Sequence, residues 1–324
     1  MKLTGAAILV SRGMKVLQAA PAAYPYRSAD QMLRYVPQRK EPMKMQWPLS
    51  LAGVCALVLF LATTSYSYIT VPKEPIPNKV AQADCVVVGK ITAVEPKPVF
   101  ARLYHHIDAK MEFVVADVEV SEPLLGPKAA KKVRLAFLGL QVKSGEHKPA
   151  PAVGQEGCFY AVKHCTEDFY VVPAGGFHDK NAKDFEKELA LTRRCCKFLS
   201  EPNPALKAKE RQDRVLTAYL LVLRYTYAPM RLRGKNEAKP IDAEQSKLIL
   251  LALAEADWDR PAEQMEVSPR YAVNLLGAAA PLPKSFPPNT GDLKKDSAAR
   301  KQWLQDNAES YRIHQLVPVM AAKE

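Results

Sequence analysis

The sequence lacks every compact motif that assembles a catalytic or cofactor site within a few residues. There is no Gly-x-Ser-x-Gly, no His-Glu-x-x-His, no Walker loop, no dinucleotide fingerprint and no Cys-x-x-Cys. These absences remove the usual signatures of hydrolases, zinc peptidases, nucleotide-binding enzymes and thioredoxin-like redox proteins. Histidine is scarce as well, at six residues, so few imidazoles are on hand for acid–base or metal chemistry. His105 and His106 are adjacent, with Asp108 close by, but neighbours on a strand point to opposite faces and cannot easily share one ion. His178-Asp179 follows Gly175-Gly176 and reads as a loop, and the acidic pairs Glu167-Asp168 and Asp257/Asp259 read as solvated loop ends. No catalytic residue, cofactor or metal ligand is assigned on this basis.

No block of one charge dominates the folded part either. The chain carries a net charge of +12, but residues 1–46 hold eight basic side chains against Asp30 and Glu41, so half of the excess lies in a basic leader. The remaining positive charge is dispersed, and the short run Lys128–Lys132 suits a solvated turn. A nucleic-acid partner is therefore not expected.

One long apolar run is present. From Trp47 to Thr64 the chain reads WPLSLAGVCALVLFLATT without a charge, flanked by Lys40 and Lys44 before it and Lys73 after it. Its length lies between a signal-peptide core of about 7–15 residues and a spanning helix of about 20. Basic residues on its N-terminal side orient it with that end in the cytoplasm, so everything after Thr70 is expected outside. Two alternatives share this orientation. Initiation at Met43 or Met45 gives signal-peptide proportions, with small residues in Ser65-Tyr66-Ser67 for cleavage; initiation at Met1 favours a retained anchor. The expected partner of residues 47–70 is thus a membrane, and the expected location is membrane-anchored with extracytoplasmic domains, or secreted if the leader is cleaved.

Residues 71–82, with three prolines, suggest an extended linker. Strand-like segments follow: Asp84–Val94 with Gly89 as a bulge or bend, Met111–Val120, Val133–Phe137, Phe159–Val162 and Phe169–Val172. Five strands in about 90 residues, joined mostly by short polar or Pro/Gly turns, predict a small antiparallel OB-like β-barrel over 83–176. Beyond Gly176 the apolar period lengthens. Phe185, Leu189, Thr192, Cys196 and Leu199 share one helical face, and Arg211–Tyr227 is apolar nearly all round, as a central buried helix should be. Asp242 followed by Gln245 suggests a capping box, Ser268-Pro269 a further helix start, and Asp296 the opening of a last helix. Trp258, Trp303, Tyr219, Tyr225 and Tyr227 fall on packing positions. The expected class is α+β: one N-terminal hydrophobic helix, the barrel, then an α-helical domain over 177–324.

Five cysteines lie beyond the apolar run: Cys85, Cys158, Cys165, Cys195 and Cys196. In an oxidising compartment all five are candidate disulfide cysteines. Cys158 and Cys165 bracket one strand, and seven extended residues span about 23 Å, well beyond the roughly 4.4–6.8 Å between Cα atoms that a disulfide accepts. Pairing of Cys85 or Cys165 with the Cys195-Cys196 pair is the expected alternative, pinning strand to helix.

The run Ala83-Asp84-Cys85-Val86-Val87-Val88-Gly89-Lys90-Ile91, then Val118-Glu119-Val120 ahead of Leu124-Leu125-Gly126, Val133-Arg134-Leu135 and Gly154–Tyr160, resembles the OB-fold barrel of tissue inhibitors of metalloproteinases and netrin-like modules. The resemblance spans about residues 80–175. Those inhibitors act through a mature N-terminal Cys-x-Cys, whereas Cys85 is internal here and Val87 stands in the second position. The arrangement of leader, barrel and helical domain also resembles exported proteins of planctomycete-type bacteria. The function expected is a non-catalytic extracytoplasmic binding or structural protein with a protein partner; a protease-inhibitor-like module and a hydrolase are the alternatives.

Overall fold

A computed structural model describes residues 74–103, 108–127, 130–139, 151–227, 236–259 and 267–319. The basic leader, the apolar segment 47–70, the pair His105-His106 and His147 lie outside the described residues. Among those described, no helix is long and apolar enough to cross a membrane.

The chain is mixed α+β. Seven strands form its main sheet: β1 (Cys85–Val94), β2 (Val99–Arg102), β3 (Lys110–Leu125), β4 (Lys132–Leu138), β5 (Glu156–Lys163), β6 (Tyr170–Val172) and β7 (Phe177–Asp179). Strand β1 opens with a continuous apolar run, Cys85–Gly89, buried on both faces, and only then alternates. It pairs antiparallel with β3 on one side and with β5 on the other. β3 pairs with β4, β4 runs parallel to β6, and β6 pairs with β5, so the ladder of pairings returns to β1. β2 extends the N-terminal half of β3, and β7 lies along β5. The register of β1 on β3 shifts between Val88 and Gly89, where the sequence places a bulge. Glycine is required there because a Cβ would sit 2.5 Å from the Glu119 carbonyl oxygen.

Alternation along these strands sorts the side chains into layers. Cys85, Val87, Ile91, Ala116, Val118, Val133, Leu135, Phe159, Ala161 and Val172 converge from five strands on one interior cluster. On the outer surface, Phe113, Val115, Ala136 and Val171 are roofed by Phe169 from the loop after β5. Val86, Val88, Cys158 and Tyr160 face outward too, but they enter a third cluster shared with the helices.

Those helices are α1 (Ile76–Gln82), α2 (Phe185–Ser200), α3 (Pro202–Leu206), α4 (Arg211–Thr226), α5 (Ala243–Glu255), α6 (Pro269–Ala279) and α7 (Leu293–Asp306). α4 is central, as its all-round apolar sequence predicts: it packs against α1, α2, α3, α5 and α6. The expected linker is different. Its described part holds α1, with Pro75 at the N-cap and Pro77 in the first turn, where a missing N–H costs nothing. Ile76 and Val80 are buried in the shared core, and Tyr219 donates to Asn78 Oδ1 at 2.7 Å. The last helix also starts elsewhere than expected. Asp292 caps α7 by accepting from the N–H groups of Lys294 and Lys295, while Asp296 sits in the first turn and accepts from the Thr290 hydroxyl at 2.6 Å. Asp242 and Ser268 cap α5 and α6 as their sequences suggest. Gln245 does not complete a reciprocal box; its side chain meets Tyr225 and Asn203. A two-stranded ribbon, β8 (Asn236–Pro240) with β9 (His314–Pro318), closes the fold. Thr70–Glu324 form one compact unit, in which sheet and helices share a core.

Candidate functional site

None of the five candidate cysteines forms a disulfide, and the fold sets Cys85 and Cys165 apart from the other three. Cys85 points into the interior of the sheet, on the opposite face of β1 from the helices. Cys158, Cys195 and Cys196 are gathered in the sheet–helix core, so the structure brings the pair on α2 towards Cys158 rather than towards Cys85. Cys165 lies in the loop after β5, where its thiol donates to the Arg102 carbonyl at 3.7 Å. Burial pushes the thiols of Cys85 and Cys158 up to about 12, and that of Cys196 up as well. Thiols so far from ionisation are poor nucleophiles, which suits packing and not catalysis.

Two surface features remain. The first is the outer face of β1, β3 and β4 beyond the Gly89 bulge. Cross-strand register sets Lys90 opposite Glu119 and Glu119 opposite Lys132, and it places Asp117 opposite Arg134. Arg134 donates to Glu95 at 2.5 Å, and the Thr92 hydroxyl donates to the Asp117 carbonyl at 3.3 Å. Lys90, Thr92, Glu119, Lys132 and Arg134 are exposed. The result is a three-stranded patch of mixed charge, held in place by the ladder beneath it.

The second feature is a cluster between β7 and the start of α2. Backbone pairing of Cys158 with His178 fixes the imidazole beside the helix. Gly157 is required for this approach, because a Cβ there would meet the His178 carbonyl oxygen at 2.1 Å. His178 Nε2 lies 3.1 Å from Asp184 Oδ1 and Nδ1 lies 2.6 Å from Glu188 Oε2, with the ring packed edge-on against Phe185. Asp184 occupies the N-cap position of α2 yet makes no side-chain cap; its carboxylate turns to the imidazole. Asp184 and Glu188 are one helical turn apart and so share a face. Among the described residues, these three form a group able to hold a metal ion, with one ligand atom from each lying within 4.8 Å of the others.

Sequence reasoning places His178 in a plain loop and does not foresee this cluster. The available signal was the Asp184/Glu188 spacing at a helix start, six and ten residues beyond a histidine. The acidic pairs behave as loop ends: Asp168 is salt-bridged to Lys163 at 2.9 Å, which holds its carboxyl below the ordinary range, and Asp257 accepts from the Asp259 N–H. Trp258, Trp303 and Tyr219 are buried, and Tyr225 and Tyr227 partly so, as their packing positions imply. Comparison of the chain with protein-family models, with curated proteins and with solved structures finds no match.

Proposed function

We propose that this chain is a non-catalytic extracytoplasmic binding protein, anchored at or exported across a membrane through residues 47–70, whose protein partner docks on the outer face of an OB-like β-barrel. The barrel reading is supported by the circle of pairings through β1, β3, β4, β6 and β5, by the parallel step from β4 to β6, and by the common interior cluster. OB barrels bind their ligands over the face of their second and third strands, which correspond here to β3 and β4.

The observation that carries the proposal is the division of the outer surface. Helices occupy the Val86/Val88/Cys158/Tyr160 half and leave the Lys90/Glu119/Lys132/Arg134 half in solvent. Both signs of charge alternate across that open half, which complements a protein surface better than a phosphate backbone, since the latter demands a basic stripe. The N-terminal cysteine chemistry of metalloproteinase inhibitors has no counterpart, because Cys85 is wholly buried and follows α1 in the chain.

The test is cross-linking of the full chain in its native envelope, comparing the wild type with the double reversal Lys132→Glu/Arg134→Glu and with a control reversal at exposed Lys301. A partner recovered by the wild type and the control but lost by the double reversal supports the proposal. A partner retained by the double reversal refutes the assigned face. Protease protection of the same membranes checks that the residues after Thr70 lie outside.

A further inference from the structure

We propose that His178, Asp184 and Glu188 form a binding site for one divalent transition-metal ion, a role independent of the partner face on β1, β3 and β4. The donor set is one imidazole and two carboxylates, which suits Zn²⁺ or Mn²⁺ and is not the all-oxygen shell that Ca²⁺ or Mg²⁺ prefers. Geometry supports the assignment. Ligands bound tetrahedrally to Zn²⁺ at about 2.0–2.2 Å stand about 3.3–3.6 Å apart, and the three donor atoms lie within 4.8 Å of one another. The closing movement at the widest pair is therefore up to about 1.2–1.5 Å, which a side-chain rotation can cover. Asp184 can supply it, since its side chain is 48% exposed at the N-cap of α2, whereas the His178 side chain is 9% exposed and fixed by β7.

Two further observations favour an ion at this place. The N-cap carboxylate of α2 makes no capping bond and turns instead to the imidazole. The cluster also borders an open hollow lined by Ile76, Asp184, Lys187, Glu188, Leu191 and Arg194, which gives an ion and its remaining water ligands a route in. Arg194, which lines the hollow, is salt-bridged to Asp213 at 2.5 Å.

The experiment is Zn²⁺ titration calorimetry on the full chain, purified without a histidine tag and stripped with chelator. The expected result is one saturable site, weakened about 10–100-fold or more in Glu188→Gln and in Asp184→Asn. Both variants keep side-chain shape, and circular dichroism together with the thermal midpoint in chelator confirms that they fold. With Co²⁺ as the probe, the visible absorption of a bound ion should appear in the wild type and vanish in both variants. Absence of saturable binding by the wild type overturns the proposal, as does one-site binding that both folded variants retain.

Discussion

The two halves of the outer sheet surface share strand β1 and meet opposite fates. Strand β1 enters the covered half with Val86 and Val88 against the helices, passes the Gly89 bulge, and leaves through the open half with Lys90 and Thr92 in solvent. On the covered side β5 contributes Cys158 and Tyr160, and on the open side β3 and β4 contribute Glu119, Lys132 and Arg134. The inward residues pack the strands into a common cluster, while the outward residues decide which part of the sheet becomes a floor for helices and which stays a surface. Stability should therefore depend on the first half and recognition on the second.

The largest effect is expected from breaking the covered half. Tyr160 is 2% exposed, with its hydroxyl 2.6 Å from Thr192 Oγ1 and its ring beneath Lys79 Nζ at 5.6 Å. Tyr160→Ala removes a large buried ring at the point where sheet meets α2 and should cost about 3–5 kcal/mol in urea unfolding. Tyr160→Phe deletes only the hydroxyl contact and should cost about 0.5–1.5 kcal/mol. A loss below about 1 kcal/mol for the alanine variant would mean that the helices do not depend on this floor.

The join between the halves comes next. In Gly89→Ala the added methyl would meet the Glu119 carbonyl at 2.5 Å and Val118 Cγ1 at 2.7 Å, and backbone must shift to admit it. The expected cost is about 1–3 kcal/mol. Hydrogen exchange should show faster amides along the β1–β3 ladder and little change in α4 to α7. Equal acceleration throughout would show that the two halves unfold as one and would blur the distinction.

Much of this division is legible in the sequence, and its gaps have physical causes. The alternation of Val133, Leu135 and Phe137 with Lys132 and Arg134 marks β4 as half exposed, and the unbroken apolar run from Cys85 to Gly89 marks a strand covered on both sides. What covers it is not legible. Alternation reports that a face is buried and is silent about the element that buries it, so the sheet–helix core could not be read from either segment alone. α1 was hidden because prolines that suggest a linker are also tolerated in a first helical turn. β8 was hidden because Asn236–Pro240 carries no apolar alternation and owes its strand form to β9, more than 70 residues away. The His178 cluster was hidden for a similar reason. β7 is three residues long and is held as a strand by β5, so its local sequence after Gly175-Gly176 looks like a loop.

A pH-dependent prediction sharpens the covered side. Burial raises the Glu74 carboxyl above its ordinary value, even though Gln82 Nε2 donates to it at 2.9 Å and Lys79 is close by. A pKa raised in the folded state means that the contribution of this group is most favourable below the unfolded carboxylate value of about 4.3 and is lost as pH rises through the folded value. Glu74→Gln keeps an oxygen for Gln82 and removes the charge. Its thermal midpoint should lie above that of the wild type at pH 7, and the gap should close as the pH falls towards 4. A gap that persists unchanged into acid would point to a cause other than ionisation.

The smallest effect on stability is expected on the open half, and that is what makes it informative. Arg134 and Glu95 form a 2.5 Å ion pair, but their side chains are 44% and 35% exposed, so solvent screens the attraction. Exposed pairs of this kind contribute about 0.2–1 kcal/mol, and loss of the neighbouring Lys132 side chain should add almost nothing. Arg134→Ala/Lys132→Ala should therefore unfold within about 1 kcal/mol of the wild type while reducing cross-linking to the partner. If instead the double variant were destabilised as strongly as Tyr160→Ala, the open face would be part of the folding core and could not be credited with recognition. Retention of both stability and partner capture would place the contact elsewhere on the molecule. Only near-native stability with lost capture fits a surface whose charges are spared the work of holding the fold.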